Sequence, residues 1–191
     1  MGFEIEGCVN GEVRDDLMTY LCDIYPESNI HQLIHYDGSI YPKNRAIEIV
    51  TPALKEQDAI ERLEWLLATL DILSEEGLFE TNHTCGFHIN ISEGELFKKA
   101  NNQIRSKFAF KFLTKLDPLK WKKAYGRTRG KANNYCSWAY GAPVFPEDVN
   151  DGVYANHYSA INTQHLHIKD AKARRIEVRV AGGKDYHRKY Q

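Results

Sequence analysis

The chain has 191 residues, of which 42% are hydrophobic and 27% charged, and its formal net charge is -1 at pH 7. This length suits one domain with a real core, and the balanced charge gives no reason to expect nucleic-acid or membrane binding through bulk electrostatics. No stretch approaches the roughly 18 apolar residues of a membrane span, and the start does not resemble a signal peptide. Because no export signal is recognised, we expect the four cysteines to be reduced thiols in a cytoplasmic protein, and the lack of a CxxC pair argues against a zinc site.

The first part of the chain predicts two strands separated by a helix. Residues 3–9 alternate as a strand does and carry Glu4 and Glu6 on one face. A short amphipathic helix should follow and end near Tyr25–Pro26, because apolar residues recur at helical spacing: Val13, Leu17, Tyr20, Leu21 and Ile24. A second strand is expected over residues 30–36, followed by a hairpin turn at Asp37–Gly38.

The middle of the chain predicts two further strands around a long helix. Residues 46–50 form a strand that carries Glu48 and is stopped by Thr51–Pro52. The longest helical pattern ends near Gly77 and places apolar residues on one side: Ile60, Leu63, Leu66, Leu67, Leu70 and Leu73. The strand over 85–92 then alternates Phe87, Ile89 and Ile91 with polar residues, so we expect one buried face and one wet face.

The remainder predicts a helix, a long irregular stretch and two last strands. Ser92 and Glu95 resemble a capping box, and the helix that it opens should bury its apolar side from Phe97 to Phe112. Residues 118–157 have no sustained period, and a stretch of this length is more often a functional loop or lid than a filler. Its basic run contains Arg127 and Arg129 and is read equally well as a solvated loop or as a phosphate-binding lid. Strands are expected over 158–166 and 174–180.

The polar residues of the strands share a chemistry that an ordinary solvated strand face does not have. If the strands form one sheet, its polar face gathers four carboxylates, one imidazole and two guanidinium groups: Glu4, Glu6, Glu48, Glu177, His88, Arg175 and Arg179. Carboxylates that lie so close repel one another, and hard divalent cations are the usual remedy. Taken singly, each is more often a surface group, a structural histidine or an ion-pair ladder. Their coincidence on four strands favours a shared site.

Five motifs in order resemble the amidoligase family of carboxylate–amine ligases, which are related to glutamine synthetase and glutamate–cysteine ligase. They are Phe-Glu-Ile-Glu at residue 3, Asp-Gly-Ser-Ile at 37, Glu-Ile-Val-Thr-Pro at 48, Cys-Gly-Phe-His-Ile-Asn at 85 and Arg-Ile-Glu-Val-Arg at 175. The resemblance implies an α+β fold with a glutamine-synthetase-like curved, largely antiparallel sheet, helices on one face and a charged active-site face. It implies one catalytic domain over residues 1–191. Family members are usually longer, which leaves open a missing C-terminal helical part.

The resemblance also implies roles for individual residues. Metal ligands would be Glu4, Glu6, Glu48, His88 and Glu177. Contacts to the nucleotide would come from Glu4, Glu48, His88, Asn90, Glu177 and Arg179. The transferring phosphoryl group would be held by Arg179, with one or more of Arg175, Arg127 and Arg129. Asp37, Ser39 and Asn162 would lie near the substrate, although Asp37 is explained equally by the turn that it begins.

The implied activity is ATP-dependent ligation of a carboxylate to an amine through an acyl phosphate, with two divalent metals, Mg²⁺ or Mn²⁺. The partners would be small-molecule or peptide acids and amines, with no nucleic acid or membrane, and a homo-oligomer is left open. Three alternatives remain: a guanidino-kinase-like phosphotransferase on the same fold, a non-catalytic binding relative, and a metal-dependent hydrolase.

Overall fold

The computed structural model describes residues 1–92, 161–162, 165, 168, 170 and 173–188. The predicted helix after Ser92, the irregular stretch over 118–157 with Arg127 and Arg129, and most of the strand predicted over 158–166 lie outside the described residues. The chain divides into two compact units, one made of Met1–Ile89 and Ala181–Gln191, the other of Asn90–Val180. The expectation of a single catalytic domain stays a prediction.

The first unit is built on a mostly antiparallel, open sheet with few helices. Its strands are β1 (Gly2–Val9), β2 (Ile34–His35), β3 (Ala46–Val50), β4 (Phe79–Glu80) and β5 (Gly86–Ile91). The last two residues of β5 belong to the second unit. The order is β2-β3-β1-β5, and β4 pairs with β1. Pairs β1–β3, β1–β4 and β2–β3 are antiparallel, so the α+β class with a largely antiparallel sheet is confirmed.

The register of these strands follows from the two-residue period of their sequences. Ile5 lies opposite Ile49, which in turn lies opposite Ile34, so one face carries a row of isoleucines across three strands. One residue further along, Glu6 lies opposite Glu48 on the other face. A slip of one residue would exchange the two faces, so burial of the isoleucines fixes where the carboxylates lie.

Two of the predicted helices are confirmed. Helix α1 (Gly11–Ile24) buries Val13, Leu17, Leu21 and Ile24, as its spacing predicts. The long helix, which is numbered α3 in the chain, covers Glu56–Glu75 and buries Leu66, Leu67 and Leu70. Gly77 follows it with φ of 73°, a conformation that glycine adopts without steric cost. Ile60 was expected on the buried side of this helix, but it is 39% exposed.

The strand predicted over 30–36 is wrong for its first half. Residues Ile30–Leu33 form a short helix, α2, and only Ile34–His35 are extended as β2. Asn29 decides this, because its side chain accepts a hydrogen bond from the His31 N–H at 2.9 Å, while Gln32 accepts one from the Asn29 N–H at 3.2 Å. This capping box satisfies backbone donors that a continuous strand would have left to a neighbouring strand.

The C-terminal segment belongs to the first unit and is anchored on its sheet. It contains a 3₁₀ helix, Tyr186–Arg188. The Tyr186 hydroxyl donates to the Glu6 carbonyl at 2.7 Å, and its ring stacks on Phe87 with centroids 5.9 Å apart. Arg188 pairs with Asp71 of α3 at 2.6 Å. These contacts hold residues that are far apart in the chain against β1 and α3.

In the second unit, the strands β6 (Ile161–Asn162) and β7 (Ile176–Gly182) pair antiparallel, and the last two residues of β7 belong to the first unit. Asn162 lies opposite Glu177 in this pairing. The predicted last strand is therefore confirmed in kind, and it begins and ends two residues later than expected. Within the described part of the chain, no helix is long and apolar enough to cross a membrane.

Lowering the pH should destabilise the first unit through His187. This side chain is fully buried against Phe79, and its Nε2 finds no hydrogen-bond partner among the described residues. Burial lowers the pKa of His187 below its ordinary 6.5, and Arg188 adds to this, while Asp71 and Asp185 oppose it. Because the unfolded chain then takes up a proton first, the contribution of His187 to stability should be constant above about pH 6.5 and fall as the pH drops towards the folded-state pKa.

Urea unfolding of wild type and His187→Gln across this pH range measures the effect. The slope of unfolding free energy against pH should be smaller in His187→Gln, whereas His83→Gln, which removes an exposed histidine, should keep the wild-type slope. Equal slopes in all three proteins would contradict the assignment.

Candidate functional site

Strands β1, β3 and β5 bring four of the predicted site residues together in the first unit. Glu4 and Glu6 project from the same face of β1, Glu48 lies opposite Glu6 on β3, and His88 comes from β5. Asp37 and Ser39 also lie in this unit, in the turn after β2, whereas five other described candidates lie in the second unit: Asn90 on β5, Asn162 on β6, Glu177 and Arg179 on β7, and Arg175 just before β7. That all of them share one site stays a prediction.

His88 is held between two carboxylates. Its Nδ1 donates to Glu4 Oε2 at 2.8 Å, and its Nε2 lies 3.6 Å from Glu6 Oε1. Since a carboxylate only accepts hydrogen bonds, Glu4 places the hydrogen on Nδ1 and fixes the plane of the ring. Metal-binding histidines are oriented in this way by a carboxylate on the far nitrogen. Glu4 therefore also serves as the orienting partner of His88, a role that the motif alone did not indicate.

Gly86 leaves the space in which this arrangement fits. Its backbone N–H donates to Glu6 Oε2 at 2.6 Å. A Cβ at this position would lie 2.5 Å from His88 Nε2 and 3.1 Å from Glu6 Oε2, both closer than ordinary contact. Glycine is required here for close approach and not for a special φ angle.

A second group of carboxylates surrounds Glu6. Oxygen atoms of Glu6, Asp37 and Glu48 all lie within 4.8 Å of one another, a spacing at which they could hold a metal ion. Asp37 also accepts a hydrogen bond from the Ser39 N–H at 2.7 Å, as expected of the residue that begins a turn. Asp37 is thus the turn residue that the sequence predicts and also lies next to these carboxylates, while its substrate role stays a prediction. A substrate role for Ser39 stays a prediction.

Glu6 and His88 of the polar face are not wet, which corrects the sequence expectation, while Glu4 and Glu48 are partly exposed. His88 is 2% exposed and Glu6 is 4% exposed, so both are more buried than Phe87 of the apolar face, which is only half-buried. Alternation predicts which residues share a face, but it cannot predict what covers that face. Charges that have lost their water are costly unless they are paired or bind a cation.

His35 is a neighbour of the site that the sequence analysis missed. It lies directly opposite Glu48 in the β2–β3 pairing, and its side chain is exposed, with Nε2 3.1 Å from the Gln32 carbonyl oxygen. The pattern over residues 30–36 gave no clean face, because half of it is helix. Recognising the capping box at Asn29–Gln32 would have left Ile34–His35 as the strand and brought His35 into register.

The second unit pairs several predicted site residues with one another. Glu177 is 3% exposed, accepts a hydrogen bond from Asn162 Nδ2 at 2.7 Å and forms an ion pair with Arg179. Arg175 Nε donates to Asn90 Oδ1 at 2.8 Å. Asn162, expected near substrate, thus contacts a predicted metal ligand. The two arginines are each held by a neighbour that fixes the direction of the guanidinium group.

The fold and these residues define an α+β protein whose antiparallel sheet presents buried carboxylates and an oriented histidine. A family model described as "Putative amidoligase enzyme" matches residues 27–189, well over half of the chain. The chain therefore belongs to the amidoligase family, which supports its assignment as an enzyme of the ligase class. Searches of curated proteins and of solved structures found no match. Because the match begins after α1, the place of Glu4 and Glu6 beside His88 and Glu48 rests on the structure.

Replacing Gly86 by alanine should disrupt the site. The added methyl group must displace the His88 ring or the Glu6 carboxylate, and overpacking of this kind costs about 1–3 kcal/mol of unfolding free energy. Urea denaturation measures it. The control is Gly11→Ala at the start of α1, where a Cβ would meet no atom of the described residues within 4 Å and where alanine favours the helix. Equal stability of the two variants would show that the space at Gly86 is not needed.

Proposed function

We propose that the protein is an ATP-dependent carboxylate–amine ligase that forms an amide, or isopeptide-like, bond through an acyl phosphate with the help of Mg²⁺ or Mn²⁺. The observation that carries the proposal is the group Glu6, Asp37 and Glu48, whose oxygens lie within 4.8 Å of one another next to the oriented His88. Glu6 is buried, and Asp37 and Glu48 are partly buried. Membership of the amidoligase family supports the ligase class, and the close approach of the carboxylates supports the cation.

The donor atoms of this group suit a hard divalent cation. Carboxylate oxygens with one imidazole are ligands that Mg²⁺ and Mn²⁺ accept, whereas the thiolates that favour zinc are absent from the group. Glu6, Asp37 and Glu48 would hold one ion, and His88 Nε2 with Glu6 Oε1 offers two donor atoms for a second. Bound there, divalent cations would supply charge neutralisation for phosphoryl transfer.

The chemistry of amide formation explains why such a site is needed. A carboxylate is a poor electrophile towards an amine, so ligases of this kind first transfer the γ-phosphoryl group of ATP to it. The amine then attacks the carbonyl carbon of the acyl phosphate, and phosphate leaves with the electron pair of the broken C–O bond. The protein contributes mainly positioning and opposite charge, because phosphoryl transfer requires little covalent help.

The chain's own residues would divide this work. Glu4 orients His88, and the Gly86 N–H holds the Glu6 carboxylate, so both metal-facing groups are fixed before any ligand binds. In this proposal Arg179 and Arg175 bind the transferring phosphoryl group, and Glu177 binds the cation. The side-chain amide of Asn90 orients the guanidinium group of Arg175. The side-chain amide of Asn162 orients the carboxylate of Glu177. Contributions from Arg127, Arg129 and Ser39 are proposed on the family resemblance alone.

We further propose that the sheet has the curved glutamine-synthetase-like form that the resemblance implies. The antiparallel order, with isoleucines on one face and carboxylates on the other, supports this. A cytoplasmic location, acid and amine partners, and the absence of nucleic-acid binding belong to the same proposal.

Nucleotide binding should require both the divalent cation and Glu6. Calorimetric titration with ATP should give binding to wild type in Mg²⁺ and none after chelation, while Glu6→Ala should lose at least about tenfold in affinity because the cation has lost a central ligand. Glu64→Ala, which removes an exposed carboxylate of α3, should behave as wild type. Nucleotide binding to Glu6→Ala with wild-type affinity would contradict the proposal.

Oxygen-18 transfer separates ligation from the phosphotransferase alternative. The protein is incubated with ATP, Mg²⁺, ammonium and a mixture of amino acids whose carboxylates carry oxygen-18. A ligase returns one labelled oxygen to inorganic phosphate, because the acyl C–O bond breaks when the amine attacks. A kinase leaves the label in a phosphorylated product. Phosphate that is released in response to the amino acids but carries no label would contradict the acyl-phosphate step.

A further inference from the structure

Two buried thiols meet on the strands that carry the site. Cys8 lies on β1, two residues beyond Glu6, and Cys85 immediately precedes Gly86 at the start of β5. Both residues are 0% exposed, and one residue, Asn82, contacts the sulfur atoms of both. Cys22, on helix α1, is partly exposed, so its surroundings differ from those of this pair.

Asn82 holds the two sulfur atoms in one place. Its backbone N–H points to Cys85 Sγ at 3.4 Å, and its side-chain Nδ2 contacts Cys8 Sγ at 3.8 Å and the Tyr41 carbonyl at 2.6 Å. The Cys85 N–H closes the turn by donating to the Asn82 carbonyl at 3.0 Å. A turn and two strands therefore hold the two thiols in place.

From this geometry we propose that Cys8 and Cys85 form a modification site, a dithiol that a hydroperoxide converts to an intramolecular disulfide. One thiol attacks the peroxide oxygen, which gives a sulfenic acid and water (or an alcohol). The second sulfur then displaces the hydroxyl group, which leaves as water with the second thiol hydrogen, so two thiols and one peroxide give one disulfide. A dithiol reductant reverses the change by exchange.

The turn over residues 82–85 controls access to the thiols. His83 at its tip is exposed, whereas Asn82 and Thr84 are half-buried and linked, since Asn82 Oδ1 accepts from the Thr84 N–H at 2.8 Å and from its hydroxyl at 2.6 Å. Opening of this turn exposes both sulfurs at once to a small oxidant. Once one sulfur has reacted, the other is held nearby on the same Asn82, which favours the crosslink over further oxidation of a single sulfur.

The crosslink would fix the backbone on both sides of the Glu6–Gly86 hydrogen bond. Cys8 follows Glu6 and Gly7 on β1, and Cys85 is joined directly to Gly86, whose N–H donates to Glu6. The bond also closes the long chain segment between residues 8 and 85 and restricts the unfolded state. A melting temperature roughly 5–10 °C above that of the reduced protein is expected. This inference does not depend on the proposed ligase activity.

The test uses the full chain with Cys22→Ser and Cys136→Ser, in which Cys8 and Cys85 are the two remaining cysteines. Hydrogen peroxide should lower the intact mass by two hydrogens, remove both alkylatable thiols, yield a peptide joining residues 8 and 85, and raise the melting temperature. Treatment with dithiothreitol should restore the original mass, both alkylatable thiols and the original melting temperature, and should remove the joined peptide. Addition of Cys8→Ser should abolish the mass loss and the melting shift.

Three outcomes would overturn the proposal. In the first, the peroxide-treated protein is unfolded in denaturant and both thiols can still be alkylated. In the second, single cysteines gain oxygen atoms and no crosslink forms. In the third, crosslinks form only between chains. Should Cys8→Ser fail to fold, differential alkylation and peptide mapping of the parent variant still decide between these results, because that measurement needs no further substitution.

Discussion

The register between β1 and β3 is the constraint on which the candidate site depends. The isoleucine row at positions 5, 49 and 34 must face the core, and this places Glu6 directly opposite Glu48. Like charges in opposed positions repel by up to about 1 kcal/mol even on an exposed sheet, and the repulsion grows as water is excluded. Burial of the apolar face therefore brings two like charges, Glu6 and Glu48, close together on the polar face. A bound cation would offset their repulsion.

The surroundings of the carboxylates show how the chain tolerates this cost. Glu6 receives the Gly86 N–H, and Glu4 receives the Nδ1–H of His88, so the charges are hydrogen-bonded to fixed donors. Tyr186 ties the C-terminal segment to the backbone carbonyl of Glu6 itself. The position of Glu6 is thus determined from both sides, through its side chain and through its main chain. Such prior positioning is what a metal or phosphoryl site requires.

Much of this arrangement could be predicted from the sequence because it follows local periods. Alternation predicted strands β1, β3 and β5 and the face shared by Glu4, Glu6, Glu48 and His88, and helical spacing predicted α1 and α3. The short helix α2 was missed because the Asn29 capping box competes with a strand pattern of the same composition. Missing it also hid His35, which depends on the exact start of β2.

The burial of Glu6 and His88 could not be predicted, because it depends on tertiary covering and not on the period of a strand. The pattern Phe87-His88-Ile89 would be the same whether the imidazole of His88 lay in water or was buried. In the structure His88 is 2% exposed. The ion pair of Glu177 with Arg179 was among the readings that the sequence offered, but the hydrogen bond from Asn162 to Glu177 depends on the pairing of β6 with β7. Sequence indicated which chemical groups would be available, and the structure shows which of them are already engaged with one another.

The most direct test of the account compares unfolding free energies of wild type and Glu48→Gln in a chelator and in Mn²⁺. With the cation removed, Glu48→Gln should be the more stable protein by up to about 1 kcal/mol, since it relieves the repulsion with Glu6 and Asp37. With saturating Mn²⁺, the order should reverse, because wild type gains binding free energy that the variant has lost. The same order of stability in both conditions would contradict a cation site at these carboxylates.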